Sequence, residues 1–373
     1  MDSVAVGHPP PIATPQVGAR LLEFRQAVIQ SGLMEYSTTF NPYLFSHDKW
    51  VTHRNYAAPQ LRPIIDFFLL GGRVREELLS SRLGETWQIL VDLELAHEAD
   101  GWLQMNGLML HAFTGHLLFI DLPSPDPNVY FGDDSIGLFT RLVTSPNDVC
   151  LDLCSGSGVQ ALQCANQAKR VDAVEINNIA RRILACNVLL NGREDKVHVF
   201  GGSLYDHLEE GEYDLITSNP PLVPFPEHLP YPFVGHGGLD GLSVTRRIIE
   251  GLPVRLTSRG RAQIIALTFS DGAQIMVHNE LVELAKRYEL DINITLLNHF
   301  ELTENSVWLN GLAASSAFVT NMSAMEVKRL FKDRLDKASM SHLSPYFLFI
   351  THGKGRLTYQ NFSRVRHGGL WNI

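Results

Sequence analysis

The stretch Asp152-Leu-Cys-Ser-Gly-Ser-Gly158 determines the fold that we expect for this chain of 373 residues. It begins inside an apolar run, Asp148 to Leu153, and is followed by a run with helical spacing, Val159 to Ala168. A short apolar run that ends in glycines is typical of a buried parallel strand. The sequence therefore predicts a strand, a glycine turn and a helix.

Two further features lie at the ends of later apolar runs. Val171 to Val174 ends in Glu175, and Tyr213 to Thr217 is followed by Asn219-Pro-Pro-Leu222. Ligands of open α/β sheets bind outside the carboxyl ends of the strands. We therefore expect the glycine turn, Glu175 and the Asn-Pro-Pro corner to converge on one crevice.

The glycine turn alone leaves the ligand open. Gly156-Ser-Gly-Val-Gln-Ala161 also fits the dinucleotide fingerprint G-x-G-x-x-A, and Glu175 follows Gly156 by 19 positions, as a ribose-binding acid does. Glycines permit a close approach to a helix N-terminus, whose free N–H groups suit a pyrophosphate or a carboxylate. Asp152 is a candidate partner for an ammonium group, which favours S-adenosylmethionine over NAD. A nicotinamide oxidoreductase is therefore the least favoured alternative.

Together these motifs resemble one enzyme family. Residues 125–373 are similar to class I S-adenosylmethionine-dependent methyltransferases of the Asn-Pro-Pro-(Tyr/Phe) branch. That branch includes HemK/PrmC-like glutamine N5-methyltransferases and related RNA- and DNA-base N-methyltransferases. The resemblance implies an α/β fold with a Rossmann-like seven-stranded sheet whose last strand is antiparallel. The chain departs from the family pattern at Cys154, Ser203 and Leu222, where relatives carry Gly, often an acid, and Tyr or Phe.

The resemblance also assigns residues to the cofactor, S-adenosylmethionine. The family holds it with the glycine turn, the ribose-binding acid, an adenine-side segment and an upstream segment that covers it. The residues that correspond here are Phe131, Asp134, Ser135, Asp152, Cys154, Gly156, Gly158, Glu175, Ile176, Ser203, Leu204 and Asn219.

The Asn-Pro-Pro corner suits methyl transfer to a nitrogen whose lone pair is delocalised. Hydrogen-bond acceptors on the N–H groups of such a nitrogen stabilise the positive charge that develops during transfer. In the resemblance these acceptors are the side-chain oxygen of Asn219 and the carbonyl of Pro220, which proline leaves free because it removes a donor and fixes φ. His236 is a candidate base if the acceptor must lose a proton, and a surface histidine is the alternative.

A proline-rich segment with several rings follows the corner and is a candidate lid over the methyl acceptor. Packing of these rings against the sheet is the alternative for each of them. The expected substrate-binding residues are Pro221, Leu222, Phe225, His228, Tyr231 and Phe233.

The chemical class of the acceptor is predicted from three weaker features. Leu222, the acidic composition and the unusual N-terminal region favour a small metabolite that carries a planar nitrogen-containing group. An amide, an indole or another heteroaromatic group would qualify, with methylation on nitrogen or on carbon in a biosynthetic reaction. The alternative is N-methylation of a macromolecule, either an RNA base or a protein glutamine. A cofactor-sensing DNA-binding protein is the alternative from another class.

The length suggests more than one domain. We expect a flexible, proline-rich tail at residues 1–16, an accessory N-terminal domain at 17–124 and the methyltransferase domain at 125–373. Within the accessory domain, runs with helical spacing precede a predicted hairpin, which indicates a helical/winged-helix-like module. The helical runs are residues 21–33, 61–79 and 85–96, and the hairpin strands are 102–111 and 116–122.

The charge of the accessory domain bears on its role. Residues 61–121 contain four arginines, no lysine and nine acidic residues, a balance of −5. An acidic face is a poor DNA reader. We therefore expect this domain to shape the substrate site or to form a homo-oligomer.

Downstream of the corner, the sequence predicts the remaining strands of the sheet. They are residues 261–269, 292–300 and 346–351, with a helix at 274–286 between the first two. Residues 310–341 are predicted to be an insertion with one helix, 324–336.

Composition limits the partners. The chain has 31 Lys and Arg against 40 Asp and Glu, a net charge of −9, which argues against binding nucleic acid through its phosphates. Four cysteines without a C-x-x-C pair predict neither a metal site nor a disulfide framework, as in a reducing compartment. No apolar run is long enough to span a membrane, and no signal-peptide pattern is present. We expect a cytoplasmic protein without a membrane or nucleic-acid partner.

Overall fold

A computed structural model describes residues 14–42, 44–206, 208, 211–226 and 229–363. The first part of the described chain is mainly helical and ends in a hairpin. Its elements are α1 (Pro15–Gln30), α2 (Leu33–Thr38), α3 (Asp48–His53), α4 (Arg62–Phe68), β1 (Val74–Arg75), α5 (Glu76–Leu83), α6 (Gln88–Asp92), β2 (Ala96–Ala99), β3 (Trp102–Met105), β4 (Leu108–Phe113) and β5 (His116–Asp121).

The first helix begins inside the predicted tail. Pro15 and Gln16 belong to α1, and Thr14 caps it by accepting a hydrogen bond from the amide of Val17 at 3.3 Å. Proline suits the first turn of a helix because its missing N–H has no helical partner there. Residues 1–13, the rest of the predicted tail, lie outside the described residues.

Elements α4 to β3 have the order of a winged helix. Helix α4 leads into β1, helices α5 and α6 follow, and β2 and β3 form the wing. The three strands pair antiparallel in the order β1-β3-β2. The order is that of a winged helix, but the wing is not the predicted hairpin. The strand expected at residues 102–111 is divided at Gly107, which has φ +73°, into β3, which pairs with β2, and β4, which pairs with β5.

The predicted helices of this region are too long. The helix expected at residues 61–79 is interrupted where Gly71 adopts φ +67° and the amide of Gly72 donates to the carbonyl of Asp66 at 2.8 Å. The helix expected at 85–96 ends at Asp92, and Glu94 has φ +57°. A left-handed residue ends a helix locally, and the apolar periodicity that predicted these helices does not detect it.

The second part of the described chain alternates strands and helices. Its elements are α7 (Asp133–Phe139), β6 (Val149–Leu153), α8 (Val159–Ala165), β7 (Arg170–Glu175), α9 (Asn178–Leu190), β8 (Val197–Gly201), β9 (Tyr213–Ser218), α10 (Ser243–Gly251), β10 (Leu256–Ser270), α11 (His278–Arg287), β11 (Leu290–Leu296), β12 (Phe300–Glu301), α12 (Val307–Val319), α13 (Ala324–Ala338), β13 (His342–His352) and β14 (Leu357–Asn361).

The large sheet has the topology implied by the resemblance. Its central strands lie in the order β8-β7-β6-β9-β10-β13-β11. Strands β6 to β10 run parallel, and β13 inserts antiparallel between β10 and β11. The chain reverses direction across the sheet between β6 and β9, which is the switch point where open α/β sheets bind ligands. The predicted α/β class is confirmed, and β14 adds an edge strand that was not predicted.

The insertion after β12 contains two helices rather than the predicted one. Ser306 caps α12 by accepting from the amide of Leu309 at 3.2 Å. The helix carries apolar and small residues on all of its faces, and its Val307 and Phe318 side chains are exposed. Helix α12 therefore lacks the amphipathic pattern on which the sequence prediction depends.

One cluster of buried side chains joins the two parts of the chain. It extends from Leu21 and Phe24 of α1 through Phe119 of β5 to Leu189 and Leu190 of α9. Buried hydrogen bonds between Asn187 of α9 and the backbone of Phe119 reinforce it. The hairpin β4–β5 therefore packs directly on α9, a helix that belongs to the large sheet.

The described residues were compared with the requirements for a membrane span, a metal site and a disulfide. No helix there is long and apolar enough to cross a membrane. Within the same ranges, no group of three His, Cys, Asp or Glu side chains has metal-binding geometry. All four cysteines are free thiols.

Candidate functional site

The glycine turn places backbone N–H groups at the carboxyl end of β6. Gly156 and Gly158 have φ +52° and +80°, and Cys154, which replaces a family glycine, has φ +58°. A Cβ atom at Gly158 would lie 2.2 Å from Leu184 Cδ1 of α9. Gly158 is therefore required both by its backbone conformation and by the close packing of α9.

Glu175 closes the turn from the neighbouring strand. Its two carboxylate oxygens accept from the amides of Gly156 and Asn177, each at 2.8 Å. Burial raises the pKa of this carboxyl. A carboxylate oxygen can accept more than one hydrogen bond, so Glu175 can still receive hydroxyl groups from a ligand.

Asp152 has a different environment from the one expected. It is 1% exposed, and its Oδ2 accepts from the amide of Ala161 in α8 at 3.1 Å. Burial raises the pKa of Asp152 to about 7. This carboxyl faces the first turn of α8 and does not line the adjoining cavity, so it supports the glycine turn from behind.

A cavity of about 470 Å³, here called the turn cavity, lies against this turn. The glycine turn, Glu175 and the segment after β8 form much of its wall, and Gly156 leaves space there that a Cβ atom would enter without meeting protein. These features fit a nucleoside with a charged tail. The predicted cofactor-binding residues that line it are Ser135, Cys154, Gly156, Glu175, Ile176, Ser203, Leu204 and Asn219.

A second cavity of about 860 Å³, here called the corner cavity, lies on the other side of the Asn-Pro-Pro corner. Its walls come from the segment after β5, the loop after β9, the end of β11 and helix α12. Among the predicted residues, those that line it are Phe131, Asp134, Asn219, Pro220, Leu222 and Tyr231.

Four residues belong to the walls of both cavities. They are Tyr130, Asn219, Tyr231 and Val234. The two cavities therefore meet at the end of β9. A group entering from the corner cavity reaches the ligand of the turn cavity beside Asn219.

The orientation of the Asn219 amide is defined by its partner. Its Nδ2 donates to Asp134 Oδ2 at 2.9 Å. A carboxylate only accepts, so the atom that faces Asp134 must be the nitrogen. Asn219 Oδ1 is buried and has no hydrogen-bond partner within the described chain. An unpaired buried acceptor costs free energy, so Oδ1 favours binding of an N–H donor.

Several predicted residues lie elsewhere than expected. Phe225 lines neither cavity: it is fully buried, with its ring 4.0 Å from Tyr231 and 5.1 Å from Phe331. It is therefore a packing residue of the loop rather than a substrate contact. Gly158, a predicted cofactor-binding residue, does not line the turn cavity either. His228 lies outside the described residues.

Three other residues of the predicted lid face the turn cavity instead of the corner cavity. These are Pro221, Phe233 and His236. His236 is exposed, and its Nδ1 accepts from the amide of Gly238 at 3.3 Å. It adjoins the cofactor side rather than the acceptor side, which does not favour its predicted role as a base.

The sequence reasoning missed two residues of the site. Tyr130 donates from its hydroxyl to Asp134 Oδ1 at 2.7 Å and lines both cavities. Arg247 lines the turn cavity and donates to Ser203 Oγ at 3.2 Å. Tyr130 is adjacent to the predicted residue Phe131 and Arg247 belongs to α10, but only the fold brings their side chains to the cavities.

Comparison with known proteins identifies the domain. Residues 133–288 match the family profile "Methyltransferase small domain". A ribosomal protein uL3 glutamine methyltransferase of Bradyrhizobium diazoefficiens is 38% identical over 143 residues, 35% of this chain and 44% of that protein. The enzyme of the same name from Neisseria meningitidis serogroup A is 37% identical over 120 residues, 30% of this chain and 39% of that protein. The chain thus spans less than half the length of these relatives.

Among solved structures, the M. jannaschii tRNA m1G37 methyltransferase aligns with a TM-score of 0.39 and 16% identity, over 67% of this chain and 59% of that chain. A likeness of that degree does not establish a common function. The profile match and the strand order confirm the predicted class I methyltransferase resemblance, with S-adenosylmethionine as the cofactor.

The predicted small-molecule acceptor is wrong. The curated relatives are named for methylating a glutamine of ribosomal protein uL3, which is a macromolecule. Leu222 was overinterpreted: it lines the corner cavity beside Phe131 and Tyr231, so aromatic rings reach that cavity from other segments. An aliphatic residue at this position therefore gives no evidence for a small metabolite.

Proposed function

We propose that this chain, a class I S-adenosylmethionine-dependent methyltransferase of the Asn-Pro-Pro branch, methylates the side-chain amide nitrogen of a glutamine in a protein. The curated relatives with this activity support the substrate class. A ribosomal protein of the uL3 type is the first substrate to test. Action on such a protein would place the enzyme in the cytoplasm.

The buried, unpaired Oδ1 of Asn219 is the observation that carries this proposal. A primary amide presents two N–H donors on one planar nitrogen, and Asn219 Oδ1 with the Pro220 carbonyl offers two acceptors. Binding both donors orients the nitrogen and stabilises the positive charge that develops on it. The Asn-Pro-Pro corner is thus suited to an amide nitrogen.

The residues of the turn cavity would hold S-adenosylmethionine. Glu175 would accept the ribose hydroxyls, Ser203 and Leu204 would border the adenine, and the turn from Ser155 to Ser157 would receive the carboxylate tail. When bound, the cofactor supplies an electrophilic methyl carbon. In the transfer, the amide nitrogen held by Asn219 and Pro220 would form a bond to this carbon while the carbon–sulfur bond breaks and its electron pair stays on sulfur, and the nitrogen would release one proton to solvent.

The corner cavity suits a side chain that reaches in from a protein. Leu222 and Phe131 offer apolar contacts for the methylene groups of glutamine. The cavity is open to solvent and larger than a single side chain needs. Neighbouring residues of an extended segment can therefore occupy the rest of it.

The test is methyl transfer from S-adenosylmethionine, labelled in the methyl group, to separated ribosomal proteins, ribosomal RNA and small molecules from the host. Label is expected in protein. Acid hydrolysis should release it as methylamine, because only an amide N-methyl group leaves with the amide nitrogen. Label in RNA, or protein label that is retained on an amino acid after hydrolysis, would contradict the proposal.

A pair of variants controls this assay. Asn219→Ala removes the acceptor and should lower turnover about 10²-fold, the cost of removing one transition-state hydrogen bond. Its affinity for S-adenosylmethionine should change little. Asn55→Ala replaces an exposed asparagine of the N-terminal region and should retain full activity.

A further inference from the structure

Asp134 lies beside Asn219 and can fix the orientation of its side-chain amide. It belongs to the first turn of α7, while Asn219 follows β9. Both oxygens of its carboxyl are engaged: Oδ2 by Asn219 Nδ2 at 2.9 Å and Oδ1 by the Tyr130 hydroxyl at 2.7 Å. Asn219 Nδ2 also donates to Ser135 Oγ at 3.4 Å, but a hydroxyl can donate as well as accept, so this contact does not select one amide orientation.

The segment before α7 is built to allow this contact. A Cβ atom at Gly132 would lie 2.1 Å from the Tyr130 hydroxyl oxygen. Only glycine therefore leaves room for that hydroxyl to reach Asp134. Gly132 also donates from its amide to Ser135 Oγ at 3.4 Å, which fixes the turn.

The amide of an asparagine has two nearly isosteric orientations. If it turned over, Nδ2 would occupy the place of Oδ1 and present a donor to the donor N–H of the substrate. A neutral partner at position 134 would accept either orientation, because it offers both a donor and an acceptor. An ionised carboxylate accepts only one of them.

We propose that Asp134 is a positioning residue for methyl transfer: ionised and held by Tyr130, it locks the Asn219 amide with Oδ1 free for the substrate N–H. The inference rests on the proposed function for the identity of the acceptor amide. It replaces the expected role of Asp134 as a cofactor ligand, since Asp134 lines the corner cavity and not the turn cavity.

The pH dependence follows from this role. Burial raises the pKa of Asp134, and the hydrogen bonds from Asn219 and Tyr130 oppose that rise. The titratable groups that face it are Tyr130, the adjacent Asp133 and, from the loop after β9, Tyr231. Turnover should therefore fall as pH decreases through the pKa of Asp134. Tyr130→Phe removes one opposing hydrogen bond, so the acid limb should move to higher pH.

The decisive experiment compares Asp134→Asn in two backgrounds. In the full-length enzyme, turnover should fall at least about twofold, the loss expected if the two amide orientations become equally populated. The acid limb of the pH profile should disappear, and the Kd for S-adenosylmethionine should stay within about threefold. In the Asn219→Ala background, Asp134→Asn should have no further effect, because Asp134 acts only through Asn219. Equal losses in both backgrounds would overturn the inference.

Asp133→Asn is the matched control. This neighbour accepts from the amide of Phe45 at 3.1 Å and does not contact Asn219. The variant should retain the acid limb, moved only to somewhat lower pH because one negative charge beside Asp134 is removed. If it loses that limb as Asp134→Asn does, the effect is one of general charge and the inference fails.

A spectroscopic measurement separates this inference from the proposed function. The carboxyl ¹³C resonance of Asp134 should titrate at higher pH in Tyr130→Phe and in Asn219→Ala than in the wild type, whatever acceptor the enzyme uses. An unchanged titration would overturn the network even if glutamine methylation is observed. A shifted titration without glutamine methylation would support the network and reject the acceptor.

Discussion

Asn219 and Asp152 show how far the role of a single side chain could be predicted from the sequence. The sequence predicted that Asn219 and Pro220 present acceptors, and the structure places Asn219 at the junction of two cavities with Oδ1 unpaired. The sequence also placed Asp152 against the cofactor, whereas its carboxyl faces α8. A motif indicates which residues a site needs, but the direction of a side chain depends on packing that local sequence does not contain.

The buried carboxyl of Asp152 should make the stability of the protein depend on pH. Its pKa is raised from 3.8 to about 7, so its contribution to stability is complete below the unfolded-state value and is lost as pH rises through the folded-state value. Asp152→Asn does not titrate. The free energy of unfolding of the wild type should therefore fall, relative to that of the Asp152→Asn variant, by roughly 2–3 kcal/mol between about pH 5 and pH 8.

Urea denaturation of both proteins at the two pH values measures this difference. Asp195→Asn, at an exposed position, should show no such change. A constant difference between wild type and Asp152→Asn would mean that the carboxyl ionises in the folded protein as readily as in the unfolded chain.

At the scale of elements, sequence predicted the strands better than the helices of the insertion. Strands such as β6 and β7 are short and almost wholly buried, and a glycine turn or a terminal acid marks where each of them ends. Helix α12 was missed because it is apolar on most sides. It forms part of the corner cavity, so the acceptor side of the site was predicted less completely than the cofactor side.

Asn187 of α9 links the accessory hairpin to the glycine turn. It is fully buried, accepts from the amide of Phe119 at 2.7 Å, and donates to the carbonyls of Phe119 and Ser157 at 3.0 and 2.8 Å. Asn187→Ala leaves these groups unpaired. We expect a loss of about 2–4 kcal/mol in the free energy of unfolding, together with weaker binding of S-adenosylmethionine.

Asn191→Ala provides the comparison. Asn191 pairs with Leu117 of the same strand in the same way but is only partly buried and does not contact the turn. It should lower stability by less and leave cofactor affinity unchanged. Equal effects on affinity, measured by calorimetry, would show that Asn187 does not support the glycine turn.

At the scale of the whole molecule, the accessory region and the large sheet share one core. Buried side chains from α1 to α9 form a single cluster, and ion pairs such as Arg182–Glu94 at 2.8 Å cross the same boundary. We propose that the predicted boundary near residue 124 separates two regions of different topology that unfold together as one unit. Helices followed by strands were predictable from the sequence, but the pairing of β2 with β3 was not, because the expected hairpin joined other residues. The packing of β5 on α9 was not predictable either, because contacts distant in sequence leave no local pattern.

The two cavities that meet at Asn219 also bear on kinetics. Each is open to solvent, so spent cofactor can exchange while the protein substrate stays bound, and substrate can exchange while cofactor stays bound. Initial rates should then follow random addition, with S-adenosylhomocysteine competitive against S-adenosylmethionine and noncompetitive against the protein substrate. Two results would show a compulsory order in which one ligand seals the entrance of the other. S-adenosylhomocysteine that is uncompetitive against the protein substrate means that this substrate binds first, and an unreactive substrate peptide that is uncompetitive against S-adenosylmethionine means that the cofactor binds first. With random addition the cofactor can be replaced while the protein substrate stays bound. A substrate that carries several glutamines could then be methylated more than once in a single binding event.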